Sequence, residues 1–215
     1  MVQILNRGSI RPASPRLQRR NEQRRLEILQ AAAKVFRRRG YAASGMREIA
    51  DELDSSAGNL YYYFRGKDEI LYFCQDRALD LMQAAVGEAL RSAAPYAKKL
   101  ESVIRAHVRI MLGELEGATA HLEVDALPEE LRRAVVGKRD AYEHSIRKLV
   151  AAGVKASEFE PCDAALVTRA ILGAVNWTAR WYRPDGAQPV AQIAAALSDY
   201  LVRGLLAAPQ AGAAP

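Results

Sequence analysis

The sequence predicts an all-α protein of about nine helices. Three observations carry the prediction. Apolar residues recur at helical steps of three and four along most of the chain, and few β-branched runs alternate with period two. Pro and Gly stand at the borders of these segments, not within them. Half of the 215 residues are apolar and 26% are charged, which allows a buried core and excludes the disordered class.

Residues 1–18 read as a basic arm, broken by Gly8, Pro12 and Pro15 and carrying Arg7, Arg11 and Arg16. A first helix over Gln18–Arg39 places Leu26, Leu29, Ala33 and Phe36 on one face, and Gly40 ends it. Ser44 is the expected N-cap of a second helix with Met46, Ile49, Ala50 and Leu53 turned inward. After Asp54-Ser55-Ser56 comes a very short third helix, Ala57–Tyr63. A long fourth helix runs from Lys67 to about Ser92, with Leu71, Ala78, Leu81 and Ala85 inward. Further helices are expected over Ala97–Leu115, near Ala118–Ala126, and over Glu129–Ala152, Asp163–Tyr182 and Val190–Leu206. Residues 207–215 form an Ala/Gly/Pro tail. The units are thus 19–66, a small helical domain, and 67–206, a larger one.

Several function classes drop out. Two cysteines, Cys74 and Cys162, cannot make a disulfide framework or a Cys-rich zinc module. No apolar run reaches the ~18–20 residues of a membrane span. The first ten residues lack a signal-peptide core, so a cytoplasmic location is expected. No G-x-S-x-G, G-x-G-x-x-G, P-loop or H-E-x-x-H motif occurs, and His107, His121 and His144 are scattered. No enzyme, no metal and no cofactor is expected.

Charge is uneven. Residues 1–67 hold 14 Lys+Arg and 6 Asp+Glu, net +8, and the remaining residues carry 17 and 19, net −2, for the total of +6. A basic first third expects a polyanion partner. The segment 43–67, ASGMREIADELDSSAGNLYYYFRGK, has the helix-turn-helix pattern, whose second helix enters the DNA major groove. Leu60 and Phe64 anchor that helix. Ser55, Ser56, Gly58, Asn59, Tyr61 and Tyr62 remain to face outward: small residues permit close approach, Asn pairs with adenine, and tyrosine hydroxyls suit phosphate. Lys67 and Arg25 are further phosphate candidates, and Ser44, Gly45 and Met46 lie at the preceding helix start.

These residues resemble the TetR family of bacterial transcriptional regulators. The family pattern A-x-x-A-G-V-S, then x-G-x-L-Y-x-H-F-x-x-K, is met by Ala50, Ser56, Gly58, Leu60, Tyr61, Phe64 and Lys67. The chain departs at Leu53 for Ala, Asp54 for Gly, Ser55 for Val and Tyr63 for His. Asp tolerates the left-handed turn, and Tyr63 retains a phosphate-contacting group where the family has His. The resemblance covers about residues 22–73. It implies an N-terminal three-helix DNA-binding domain, a C-terminal ligand-binding and dimerisation domain, and a double-stranded DNA operator as partner.

One such reading unit covers little DNA, so a homodimer is expected. Val167, Ile171, Ala174 and Val175 on one late helix, with Ile193, Leu197 and Leu201 on the next, are the interface candidates, as the family's four-helix dimer bundle implies. The C-terminal stretch also resembles the family's acyl-CoA-responsive branch. That implies a small-molecule effector, with Arg139, Arg147 and Arg180 for an anionic end, Tyr142, Ile146 and Trp177 for an apolar wall, and Asn176 and Trp181 as further ligand-binding candidates in the same cluster. Trp177 and Trp181, at i and i+4, read equally as core or dimer packing. The expected function is a ligand-released repressor on a palindromic operator. The alternatives are a helical enzyme or carrier with an incidental basic arm, and a DNA-binding protein without effector.

Overall fold

The computed structural model describes residues 14–114 and 124–207. Among them lie eight α-helices: α1 (Pro15–Arg39), α2 (Met46–Glu52), α3 (Ala57–Tyr63), α4 (Lys67–Arg91), α5 (Tyr96–Arg109), α6 (Glu129–Lys155), α7 (Ala164–Trp181) and α8 (Val190–Arg203). The rest of the basic arm with Arg7 and Arg11, His121, most of the short helix expected near Ala118–Ala126, and residues 208–215 lie outside the described residues. Its described part, Val124–Ala126, is a 3-10 turn.

Helix α1 starts three residues before Gln18. Pro15 fills the first turn, where its missing N–H is no loss, and the Ser14 hydroxyl accepts the Leu17 N–H at 3.3 Å. Ser44 is not the cap of α2. Its hydroxyl is buried and donates to the Gly40 carbonyl at 2.7 Å, while Gly45 takes the cap position and gives its N–H to Glu48 Oε2 at 3.0 Å. Glu48 thus does from inside the helix what the hydroxyl was expected to do from in front of it.

The small domain closes on one face of α1. Ile28, Leu29, Ala32, Phe36, Met46, Ile49, Leu60 and Phe64 pack together, joined by Ile70 and Leu71 of α4. In the larger domain α5 is central, lying mainly on α8 and also against α4, α6 and α7. The inward stripe of α4 runs through Leu71, Gln75, Ala78, Leu79, Met82, Val86 and Ala89, so Leu81 and Ala85 sit at its margin, half-buried. Helix α5 passes into a π turn, Ile110–Glu114. The α6–α7 connection is stitched to the end of α8 by Glu160 N–H to Leu205 O and Ala207 N–H to Glu158 O.

Candidate nucleic-acid interface and effector cavity

Helix α3 is held by two buried anchors, Leu60 and Phe64, and by a Ser56 cap that accepts the Asn59 N–H at 3.2 Å. The left-handed turn that leads to it falls at Asp54 (φ 53°), where the family has Gly. With its anchors inward, α3 turns Ser56, Gly58, Asn59, Tyr61 and Tyr62 to solvent. Tyr62 is 76% exposed. Ser55 is half-buried and accepts the Asn59 Nδ2 at 3.0 Å, which orients that amide along the outer face. Tyr63 packs half-buried against the core and edge-on to Tyr62.

Four other expected contacts are placed differently. Met46 is buried, because α2 needs it to close on α1. Ser44 is buried as described above. The Arg25 guanidinium stacks on Phe64 and Phe73, 4.7 and 4.4 Å from the ring centroids, so it braces the far side of the reading unit. Lys67 Nζ donates to the carbonyls of Tyr41 (3.0 Å), Ala42 (3.2 Å) and Ser44 (2.9 Å) and lies over the Tyr41 ring. Its charge neutralises carbonyls at the α1–α2 turn. With the Tyr41–Asp68 hydrogen bond, it fastens the start of α4 to the small domain.

A cavity of about 410 Å³ opens between α4, α5, α6 and α7. Leu79, Met82, Met111 and Leu172 give it apolar walls; His107, Arg139, Asp140, Tyr142, Glu143 and Asn176 add polar groups. His107 is 3% exposed. Burial pushes its imidazole down to about 4, partly opposed by its bond to Asn176, so the ring is neutral at pH 7. Nδ1 lies 3.1 Å from the Tyr142 hydroxyl, and Nε2 lies 3.0 Å from both Asn176 Oδ1 and Met111 Sδ. Burial raises the Tyr142 phenol above its ordinary value. Arg139 donates to Gln75 Oε1 at 3.0 Å, and burial lowers its guanidinium from the usual value. Two buried atoms lack partners beside this region, Gln75 Nε2 and Glu143 Oε1.

Of the expected ligand residues, Arg139, Tyr142 and Asn176 therefore meet at one cavity. Ile146 is core, one turn beyond it. Arg147 is half-buried and turned to His144 and Glu143. Trp177 and Trp181 are 63% and 45% exposed, and Arg180 is exposed. All three are on the outer side of α7, because Asn176 and Thr178 face inward and a helix turns about 100° per residue. The lining residues His107, Met111, Leu79, Met82, Leu172, Asp140 and Glu143 are not among the ligand residues expected from the sequence. The one legible sign was His107, a polar residue in the otherwise apolar stripe Leu100, Val103, Ile104, Val108.

The dimer candidates divide likewise. Ile171, Val175 and Ile193 are buried within the chain, since α7 needs them against α6 and α5, and α8 against α5. Val167, Ala174, Leu197 and Leu201 are half-buried. The large apolar groups left outside are Leu166, Trp177 and Trp181 on α7 and Tyr200 on α8.

This architecture, a three-helix reading unit fastened to a helical domain with a cavity, has a counterpart in sequence. A family model described as bacterial regulatory proteins, tetR family, matches residues 28–72. A second, described as tetracyclin repressor-like, C-terminal domain, matches residues 93–205. The chain belongs to the TetR family. It is a helix-turn-helix DNA-binding transcriptional regulator, and its all-α fold is that of TetR regulators. The TetR regulator PfmR from Thermus thermophilus is 34% identical and superposes with a TM-score of 0.75, covering 82% of this chain and 97% of that one. The transcriptional repressor KstR2 of Mycobacterium tuberculosis is 27% identical over 179 residues, 79% of this chain and 86% of its own. AibR, solved with isovaleryl coenzyme A and operator DNA, shares the TetR fold at a TM-score of 0.70 and 23% identity, covering 85% of this chain and 98% of that one. No described helix is long and apolar enough to cross a membrane.

Proposed function

We propose that this TetR regulator is a homodimeric repressor that leaves a palindromic operator when a small apolar or acyl-CoA-type effector fills the α4–α7 cavity. The observation that carries the DNA half is α3: two anchors bury one side and leave Ser56, Gly58, Asn59, Tyr61 and Tyr62 together on the other. Small groups at Ser56 and Gly58 permit close approach to base edges. Asn59 supplies base readout, and the tyrosine hydroxyls supply phosphate contacts. The effector half rests on the cavity, whose volume and mixed lining suit an apolar body with one polar head. The repressor name of KstR2 and the acyl-CoA ligand of AibR are consistent with both halves.

The dimer reading rests on the exposed apolar residues of α7 and of α8. Leu166, Ala170, Gly173, Trp177 and Trp181 follow one another at steps of four, three, four and four, and Tyr200 lies exposed on α8. Aromatic side chains left in water in this pattern fit an interface core. An effector acts only through its different affinity for DNA-competent and DNA-incompetent forms.

Selection of bound duplexes from a randomised pool by the full chain tests the proposal. The expected result is an inverted repeat with half-sites one helical turn or a multiple apart, bound with steep salt dependence and displaced by acyl compounds. Recovery of no preferred duplex, or of one that every compound leaves bound, would overturn it.

A further inference from the structure

The cavity holds a hydrogen-bond chain with a direction. Asn176 Oδ1 has no proton to give, so the His107 Nε2 opposite it at 3.0 Å carries the ring proton. Nδ1 of the neutral ring is then an acceptor and takes the Tyr142 hydroxyl proton at 3.1 Å. The chain runs Tyr142 to His107 to Asn176, and each bond fixes the next. Asn176 Oδ1 is thereby occupied. The Asn176 amide nitrogen makes no hydrogen bond among the described residues, and Asn176 lines the cavity between Leu172 and the His107 ring. An unmet N–H pair beside apolar walls is a recognition element for a single acceptor atom, since an occupant that cannot accept leaves it unpaired.

We propose that the cavity recognises the carbonyl oxygen of an acyl group, with Asn176 Nδ2 as the donor and His107 as the residue that holds the amide in that orientation. Leu79, Met82, Met111 and Leu172 receive the alkyl body. The inference deepens the effector reading above and rests on the cavity being the effector site. Asp140 and Glu143 also line it and would attract an alkylammonium head, which is the competing ligand class. A thioester and a free carboxylate both present the carbonyl oxygen, so both sources are tested.

The test is titration calorimetry on the full chain with octanoyl-CoA, octanoate, 2-octanone and octylamine. The wild type is expected to bind at least one carbonyl probe and to prefer 2-octanone to octylamine; the first two probes separate thioester from free acid. Asn176→Leu removes the donor at similar volume and is expected to weaken carbonyl probes about tenfold. Asn176→Asp keeps the acceptor for His107 but removes the donor, and it is expected to weaken the uncharged 2-octanone by a similar factor. Full affinity for carbonyl probes in both variants overturns the proposal. So do preference for octylamine and failure of every carbonyl probe to bind the wild type, readouts that need no variant. Leu172→Trp, which fills the cavity, separates the two failures. Carbonyl binding that survives it refutes the cavity as effector site. Binding lost there but retained in Asn176→Leu refutes only the carbonyl contact.

Discussion

His107 shows how one buried side chain links chemistry to stability. Its folded value of about 4 lies below the ordinary 6.5, so between those values the unfolded chain binds the proton and the folded one resists it. The stabilisation due to its neutral hydrogen bonds is complete above pH 6.5 and declines as pH falls toward about 4. Melting curves across that range should show the wild-type advantage over His107→Gln greatest near neutrality and shrinking in acid. Lys67 carries a second expectation. Its ammonium is spent on three carbonyls, so Lys67→Met should cost about 1–3 kcal/mol of stability, read by denaturant unfolding. A variant of unchanged stability would return Lys67 to the pool of phosphate contacts. Asn59, exposed on α3, is expected to behave oppositely. Asn59→Ala should leave stability alone and relax preference at one operator position by about 1–3 kcal/mol in gel-shift competition.

Helices α4 and α6 show how an element transmits what a residue does. Helix α4 begins in the Lys67 and Asp68 contacts with the small domain and continues past Gln75, Leu79 and Met82 beside the cavity. At 1.5 Å per residue, Lys67 and Leu79 are about 18 Å apart along one rod, which joins the cavity wall to the contacts with the small domain. Lys138 pins α6 to α4 through Asp76 and Asp80, at 2.5 and 2.6 Å. Helix α6 depends on close contact near its end. A Cβ at Gly153 would stand 2.2 Å from Phe159 Cδ2, and Phe159 is fully buried with nowhere to move. Gly153→Ala should therefore destabilise the protein by about 1–3 kcal/mol in thermal or denaturant melts, against the mild gain Ala normally brings to a helix. An unchanged melting temperature would mean that the ring swings clear.

At the scale of the whole molecule, the proposed dimer assigns assembly to the exposed apolar residues of α7 and α8. Leu166, Trp177 and Trp181 on α7 and Tyr200 on α8 are large, apolar and exposed. Trp177→Lys combined with Tyr200→Lys should give a folded monomer by light scattering, with helical content retained. Its operator affinity should fall by several orders of magnitude, because two reading units must engage together. A doubly substituted chain that stays dimeric would place the interface elsewhere.

Local chemistry made the reading unit legible. Leu60 within the seven-residue α3 and Phe64 directly after it, four positions on, leave one inner side, so the outward residues of α3 follow from the spacing, and Asp54 marks the turn before it. Several helix borders are legible because Gly40, Asp54 and Pro128 punctuate the backbone, whereas Pro15, which reads as a break in the arm, in fact opens α1. Helix α7 was not legible in the same way. It is apolar around most of its circumference, so its sequence offers Asn176 and Trp177 equally to the inside. The neighbours α5 and α6 place His107 and Tyr142 against one side, giving Asn176 a partner there and leaving Trp177 in water. Lys67 and Arg25 teach the same point. A cation near a DNA-reading helix is drawn in sequence toward phosphate, but three backbone carbonyls and two aromatic faces stand closer once the chain has folded. Spacing along one chain tells which residues share a helix face. Which face meets which neighbour depends on packing between segments far apart in sequence, and no local pattern encodes it.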